Sequence, residues 1–349
     1  MSDDRVLFRG CAALAQGAID AGCCYYFGYP ITPQNDIPEY LSEHLPAAGG
    51  VFVQAESEIA SINMVMGAAA AGERAMTSSS GPGISLMQEG ISYMAGSELP
   101  GVIVNVTRSG PGLGGISPTQ GDYKQATHGG GHGDYRVIVL APNSVQEMYE
   151  LTMDAFSLAD QYRNPALILA DAILGQMKEP VVMSPREYRA EDKEWALTGA
   201  EGREPRLIKS LYLKEGEMNV HNWKLYDKYK EMSQKEPRAE IDLPDDSELV
   251  LISFGSCSRV VQTAVIQARR QGMKVGMIRP ITLYPFPGEI IKEAVNKVGR
   301  ALVVEMNTGQ MVDDVRLNAA REGEIYFQGY PGGAIPTPGE ILQEIEKII

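Results

Sequence analysis

Three short stretches of the 349-residue chain carry the residue types that handle a small anionic substrate. The first is Gly28-Tyr29-Pro30-Ile31-Thr32-Pro33, whose prolines fix the backbone around Thr32 and reduce the entropy lost in holding its hydroxyl still. Taken alone, it also reads as a turn leading into an N-capped helix. The second is Val51-Phe52-Val53-Gln54-Ala55-Glu56-Ser57-Glu58-Ile59-Ala60, in which Glu58 stands where a buried apolar strand hands over to a helix. A carboxyl held there among Ile, Met and Ala is a candidate to share or donate a proton. Glu56 and Glu58 equally fit first-turn acids that complement the helix dipole. The third is Arg108, which ends the run Val102-Ile103-Val104-Asn105-Val106 and opens Ser109-Gly110-Pro111-Gly112-Leu113-Gly114-Gly115. Uncrowded by its glycine neighbours, a planar guanidinium matches a carboxylate through two parallel hydrogen bonds. A surface arginine in a flexible loop has the same sequence. A further loop, Thr77-Ser78-Ser79-Ser80-Gly81-Pro82-Gly83, offers hydroxyls and backbone donors before a helix and could cradle an anion, but it lacks the Gly-Lys-Ser ending of a nucleotide P-loop.

To serve one site, these loops must sit at the same end of one sheet. From Val6 to Asp171 short apolar runs alternate with helical stretches, which is the pattern of a doubly wound α/β domain. Expected helices cover 11–22, 34–45, 58–71, 84–97 and 144–163, and expected strands 24–28, 51–54, 74–78, 102–107, 136–141 and 166–171. The loops at 28–33, at Glu58 and at Arg108 then follow strand carboxyl ends, where open α/β sheets bind ligands. Charges crowd in afterwards, as in Arg186-Glu187-Tyr188-Arg189-Ala190-Glu191-Asp192-Lys193-Glu194, and residues 176–245 read as a solvated connecting arm with a little helix around 224–234. From Glu248 the alternation resumes, with strands at 249–254, 274–279, 301–305 and 325–328 and helices at 257–271, 287–298, 309–321 and 338–348. The expected organisation is an α/β domain over 1–175, an arm over 176–245 and a smaller α/β domain over 246–349.

Composition narrows the function. A net charge of −14 opposes binding to nucleic-acid phosphates, which requires clustered Lys and Arg. No apolar run approaches the roughly 18 residues of a membrane span, and Met1-Ser2-Asp3-Asp4-Arg5 does not read as a secretion signal, so a cytoplasmic protein is expected. Cys11, Cys23, Cys24 and Cys257 make no Cys-x-x-Cys pair and read as small buried thiols. His44, His128, His132 and His221 lack metal-binding spacing, so no metal is expected on this chain alone.

Taken in order, Gly28-Tyr29-Pro30-Ile31-Thr32-Pro33, Gln54-Ala55-Glu56-Ser57-Glu58-Ile59-Ala60-Ser61, Thr77-Ser78-Ser79-Ser80-Gly81-Pro82-Gly83 and the Arg108 loop resemble the alpha subunit of 2-oxoacid:ferredoxin oxidoreductases. The likeness extends through Phe254-Gly255-Ser256 and Ile278-Arg279-Pro280, over nearly the whole chain. Gly121-Asp122-Tyr123 and Gly129-Gly130-Gly131-His132-Gly133-Asp134-Tyr135-Arg136 are most similar to the branched-chain enzymes, which act on 2-oxoisovalerate, also called 3-methyl-2-oxobutanoate. The resemblance implies oxidative decarboxylation of a 2-oxoacid on thiamine diphosphate, with the acyl group passing to coenzyme A and electrons leaving through iron–sulfur clusters to ferredoxin. It implies a pyrimidine-binding first domain and a second domain like the transketolase carboxyl-terminal domain. Glu58 would be the catalytic acid touching the aminopyrimidine ring, where a shared proton favours the imino tautomer. By the same residue-by-residue likeness Tyr29, Pro30 and Ile31 would also bind the cofactor, while Thr32 and Arg108 would bind the oxoacid; Glu56, two residues earlier, is the fallback for Glu58.

Enzymes of this type hold the diphosphate through magnesium with a Gly-Asp-Gly motif, and none is present: Gly121-Asp122 and Gly133-Asp134 are each followed by tyrosine. The resemblance therefore implies a beta subunit supplying Mg2+, the diphosphate site and a [4Fe-4S] cluster, with gamma and ferredoxin-like delta subunits beside it. Specificity for 2-oxoglutarate or pyruvate, or a noncatalytic scaffold role, are the alternatives. An unrelated nucleotide-binding oxidoreductase is disfavoured, because Phe8-Arg9-Gly10-Cys11 lacks the Gly-x-Gly-x-x-Gly fingerprint.

Overall fold

Gly101–Thr107 is buried at every position, as the central strand of a parallel sheet covered on both faces must be. A computed structural model describes residues 5–186, 193–319 and 324–349. Within them the chain passes through β1 (Arg5–Arg9), α1 (Gly10–Asp20), β2 (Tyr25–Gly28), α2 (Asp36–Ala47), β3 (Val51–Gln54), α3 (Glu58–Ala70), β4 (Ala75–Ser79), α4 (Pro82–Gly96) and β5 (Gly101–Thr107). It continues through α5 (Tyr123–His128), β6 (Ile138–Leu140), α6 (Val145–Tyr162), β7 (Pro165–Asp171), α7 (Ala172–Gln176), β8 (Lys178–Val182), α8 (Glu217–Lys235) and β9 (Ala239–Asp242). The last part comprises β10 (Leu249–Ile252), α9 (Gly255–Arg270), β11 (Val275–Pro280), β12 (Thr282–Tyr284), α10 (Gly288–Val298), β13 (Arg300–Glu305), α11 (Met311–Asn318), β14 (Glu324–Gly329) and α12 (Pro338–Ile348). No helix among the described residues is long and apolar enough to cross a membrane.

The first sheet has the order β12-β6-β7-β5-β4-β2-β3, parallel except for β12. From β2 the chain moves outward to β3 and then returns to the other side of β2 as β4. That reversal opens a crevice at the carboxyl ends of β2 and β4, the usual ligand position in such sheets. One face is covered by α1, α2 and α6 through Leu14, Ile37, Leu41, Met148 and Phe156. The other is covered by α3 and α4 through Ile62, Val65, Ile84, Met87 and Ile91, in a core shared with Val250, Ile252, Ile278 and Val312 of the second module. The second sheet has the order β14-β13-β10-β11-β9, with only β9 antiparallel.

Several expectations change. β3, expected to be buried, is an edge strand with Val51 43% exposed, because it pairs with β2 alone. The arm is far more structured than a solvated linker. Its β8 pairs with β1, its β9 joins the second sheet, and α8 is 19 residues long. Leu225, Tyr229 and Met232 recur at helical spacing and bury against the first core, a pattern hidden by Lys224, Asp227, Lys228, Lys230 and Glu231 around them. Arg186 pairs with Asp154, while residues 187–192 of the charged run lie outside the described residues, as do the last two positions of the helix expected at 309–321. β12 leaves the second module and adds a strand to the first sheet.

The modules are locked by polar contacts as well as apolar ones. Gln120 donates to the Phe254 carbonyl at 2.7 Å and accepts from the Met306 N–H at 2.9 Å. Ser256 donates to Asp171, whose carboxyl is pushed up by burial despite that bond. Arg279, 4% exposed, makes paired hydrogen bonds of 2.9 and 2.7 Å to Glu147 and a third of 2.8 Å to Glu240. Replacing Arg279 by Met leaves Glu147 facing no cation there, so Arg279→Met should cost about 3 kcal/mol, the low end for a broken buried pair because Glu147 is partly exposed. Urea unfolding measures it, and a loss below about 1 kcal/mol would show that the lock is not electrostatic.

Candidate active site

Glu58 opens α3, with Ser57 as N-cap accepting from the Ala60 N–H. Its residue is only 6% exposed, whereas Glu56 is exposed, so the first turn of α3 turns Glu58 inward and leaves Glu56 in solvent. Glu58 Oε1 accepts from the Ser79 hydroxyl at 3.4 Å, a long bond and the only one its carboxylate makes among the described residues. A carboxyl this buried with one long hydrogen bond keeps capacity for a further polar partner.

The serine run explains how the neighbours are placed. Thr77, Ser78, Ser79 and Ser80 are all fully buried at the end of β4. The hydroxyl of Ser78 is committed to Gln34 Oε1 at 2.5 Å and to the Tyr26 hydroxyl at 2.7 Å, so among the hydroxyls of this loop it is not free for an anion. Gln34 in turn donates to the Tyr29 carbonyl at 3.2 Å and so ties the loop after β2 to β4. Thr77 Oγ1 and Ser80 Oγ are buried without partners. Gly81, at φ +45°, makes the left-handed step into α4, which a side chain would disfavour. Gly83 is required for a different reason: a Cβ there would lie 2.4 Å from Glu58 Oε1 and 2.1 Å from Ser79 Oγ.

Arg108 reaches the same turn. A Cβ on Gly81 would touch its Cγ and Nε at 3.5 and 3.6 Å. Its guanidinium donates to the Thr32 carbonyl at 3.1 Å and the Leu113 carbonyl at 3.2 Å, and its Nε is buried without a partner. An arginine has five N–H donors. Two are engaged here, so the fork retains capacity for a carboxylate. The hydroxyl of Thr32 takes only a long 3.5 Å bond from Asn35. Tyr29 and Pro30 are exposed and Ile31 half-buried, on the open side of the crevice. The three loops are thus brought together at one sheet end.

Polar neighbours of these loops that the sequence does not single out include Gln34 and Asn105, and Asn105 is joined to Asp122. Asn105, opposite Ser79 on β5, donates to Asp122 at 2.9 Å while its own Oδ1 is buried and unpaired. An asparagine inside an all-apolar strand is the signal that could have found it. Burial pushes the Asp122 carboxyl up, with the Asn105 bond opposing. Gly121-Asp122-Tyr123 belongs to the module contact, Tyr123 donating to Asp314 at 2.6 Å. Gly129–Tyr135 instead folds over α4, Gly130 N–H donating to Gln88 at 3.0 Å. Burial pushes the thiols of Cys23 and Cys257 up to about 12 and that of Cys11 higher still, while Cys24 is half-buried.

Gly83→Ala should lose about 1–3 kcal/mol in urea unfolding through overpacking, and less in a Ser79→Ala background; an unchanged midpoint would mean that the turn can yield. A carboxyl whose folded value lies above its unfolded value of about 3.9 favours the folded state only while protonated. Asp122→Asn should therefore match the wild type near pH 4 and gain stability over it as pH rises towards neutrality. A wild type that gains on the variant over that range would refute the assignment.

Residues 16–236 match the family model described as "Pyruvate flavodoxin/ferredoxin oxidoreductase, thiamine diP-bdg", and residues 247–341 match "Pyruvate:ferredoxin oxidoreductase core domain II". The chain is 51% identical to the ketoisovalerate oxidoreductase subunit VorB of Methanothermobacter marburgensis, over 98% of this chain and 97% of that protein. It is 38% identical to the 2-oxoglutarate synthase subunit KorA of Methanothermobacter thermautotrophicus, over 99% of both. Among solved structures, a 2-oxoglutarate:ferredoxin oxidoreductase from Magnetococcus marinus superposes with a TM-score of 0.87 at 28% identity, covering 99% of this chain and 65% of that one. The first module is accordingly a thiamine-diphosphate-binding domain, and the chain belongs to the 2-oxoacid:ferredoxin oxidoreductase family.

Proposed function

We propose that this chain is the pyrimidine-binding subunit of a cytoplasmic complex that oxidatively decarboxylates branched-chain 2-oxoacids of the 2-oxoisovalerate type. The products are acyl-CoA and CO2, with two electrons passed to ferredoxin. The observation that carries the reading is Glu58: a buried carboxylate with one long hydrogen bond, at the switch point of a sheet whose module matches a thiamine-diphosphate-binding family. Bound there, the cofactor would supply a carbon nucleophile and an electron sink for decarboxylation. Glu58 would hold a proton at Oε2, the oxygen left free by the Ser79 bond to Oε1, with the carboxyl positioned by Ser79 and by the bare turn at Gly83. Arg108, anchored on two carbonyls, would present its remaining N–H groups to the oxoacid carboxylate, and the Thr32 hydroxyl would complete that contact. Tyr29, Pro30 and Ile31 would border the cofactor.

The half-open geometry supports a shared site. Tyr29, Ile59, Leu86, Leu113 and Ile116 expose apolar surface on the elements that frame the crevice, with Leu113 80% exposed. A beta subunit carrying Mg2+, the diphosphate site and a [4Fe-4S] cluster would cover them, with gamma and ferredoxin-like delta subunits completing the assembly. The branched-chain choice rests on the 51% identity to a ketoisovalerate enzyme subunit against 38% to a 2-oxoglutarate one. Specificity for 2-oxoglutarate is the second reading, favoured by the 2-oxoglutarate enzyme that superposes over nearly the whole chain.

In the assembled complex, Glu58→Gln should lose at least about 100-fold in turnover, the scale of a lost general acid or base, while the subunits still co-purify. Near-normal turnover would exclude the role and favour a scaffold subunit. Arg108→Ala should raise the KM for the oxoacid, by roughly tenfold or more for a lost charged hydrogen bond, and leave that for coenzyme A nearly unchanged. An oxoacid panel with a low-potential dye decides the substrate: faster reduction with 2-oxoglutarate or pyruvate than with 2-oxoisovalerate overturns the branched-chain assignment.

A further inference from the structure

A cavity of about 590 Å³ lies at the opposite end of the first sheet, within the roughly 300–1,000 Å³ usual for small-molecule sites. Asp134 and Arg136 reach it just before β6, and Tyr284 from β12, which runs antiparallel and pairs there with Val139. Trp223, Tyr226 and Lys230 reach it from α8. These residues stand at the amino end of β6, whereas Glu58 and Arg108 follow carboxyl ends of strands parallel to it. The seven residues of β5 alone separate the two ends by about 23 Å at roughly 3.3 Å per residue. The cavity is therefore no part of the Glu58 crevice, and its ligand does not depend on the role of Glu58.

The lining combines aromatic faces with polar groups, of which Arg136 already donates to the Tyr135 carbonyl at 2.9 Å. Trp223 and Tyr226 are 61% and 54% exposed, with rings edge-to-face at 5.4 Å, although the packing of α8 needs only Leu225, Tyr229 and Met232. The Arg136 guanidinium lies 6.0 Å from the centre of the Tyr284 ring. Among the described residues Lys230 has no ion-pair partner, and the side-chain amides of Asn219 and Asn222 make no hydrogen bonds. Two cations against one acid, Asp134, make a locally positive pocket on a chain of net charge −14. Exposed rings that can stack a planar base, beside Arg and Lys that can take phosphate oxygens, suit one ligand class.

We propose that this cavity binds a nucleotide, with the base against Trp223, Tyr226 and Tyr284, the phosphates on Arg136 and Lys230, and the Asn219 and Asn222 amides at the base edge or ribose. Free nucleoside phosphates and the adenylyl part of coenzyme A share this chemistry.

The chain has two tryptophans, so Trp195→Phe leaves Trp223 as the single indole of the full-length protein. Its fluorescence should be quenched saturably by ADP, whereas adenosine and pyrophosphate should each bind at least about tenfold more weakly. Quenching by coenzyme A with an affinity near that of ADP would identify the coenzyme as a ligand, and quenching by ADP alone a free nucleotide; both outcomes uphold the site. Arg136→Ala with Lys230→Ala should weaken ADP binding on the order of tenfold with an unchanged circular dichroism spectrum. Lys230→Glu, at an exposed position, should weaken it in the same direction should the double variant lose structure. Absence of saturable quenching by ADP, equal affinity for adenosine and ADP, or an affinity indifferent to Lys230→Glu would each overturn the proposal.

Discussion

Glu58 and Ser79 can stand against the first turn of α4 only because position 83 carries no side chain. A Cβ there would intrude to 2.4 Å from the carboxylate and 2.1 Å from the hydroxyl. Two residues earlier, Gly81 supplies the positive-φ backbone step that starts the helix, with the Arg108 stem beside it. The start of α4 therefore receives an acid at Gly83 and has the arginine stem beside Gly81. Pro82 between them has a preset φ suited to the start of a helix and no N–H to leave unsatisfied. The geometry of the site is thus a steric consequence of Gly-Pro-Gly at the end of β4, and the chemistry of Glu58 and Arg108 is added to it.

Behind that turn the sheet is polar where most parallel sheets are apolar. Four consecutive buried hydroxyl residues end β4, and Asn105 faces Ser79 from β5. Some of these groups are fully used: Tyr26, Ser78 and Gln34 form a chain that ends on the Tyr29 carbonyl and fixes the loop bearing Thr32. Others are not, since Thr77 Oγ1, Ser80 Oγ and Asn105 Oδ1 have no partner. The committed groups hold the loops; the uncommitted ones belong to the same strand ends as Ser79, which meets Glu58. A core built for stability alone would replace the unpaired groups with apolar residues of the same shape, because unpaired buried polar groups cost free energy without return.

Most of the first sheet is legible in the sequence because its strands and helices satisfy their own periodicities, and the carboxyl-end rule then places Gly28–Pro33, Glu58 and Arg108 together. What is not legible depends on partners distant in sequence. β9 and β12 are short, and each exists because another strand's edge is free to pair with it. The apolar residues of β3 predict burial, yet its exposure is set by its place in the strand order, which the segment itself does not encode. α8 has apolar positions at helical spacing within a strongly charged stretch, so composition masks periodicity. In the site, Glu58 is visible from its position at a strand-to-helix junction, but its contact with Ser79 is not, since that requires the register of β4 against α3.

The second module shows why the chain keeps both halves together. Glu305, fully buried at the end of β13, accepts the N–H groups of Met311 and Val312 at 2.8 and 2.9 Å and the Asn307 amide at 2.8 Å. It therefore caps α11 from within, and burial still pushes its carboxyl up, so those donors only partly offset the loss of water. The same corner carries Met306, whose backbone exchanges hydrogen bonds with Gln120, and Asp314, which accepts from Tyr123. Since Asp122 lies between Gln120 and Tyr123, the segment that holds Asn105 from outside the sheet is itself held by the cap of α11. The polar layer under the crevice is thus coupled to the second module through backbone positions, and a rotation of that module would have to break this buried set before it could move Asp122.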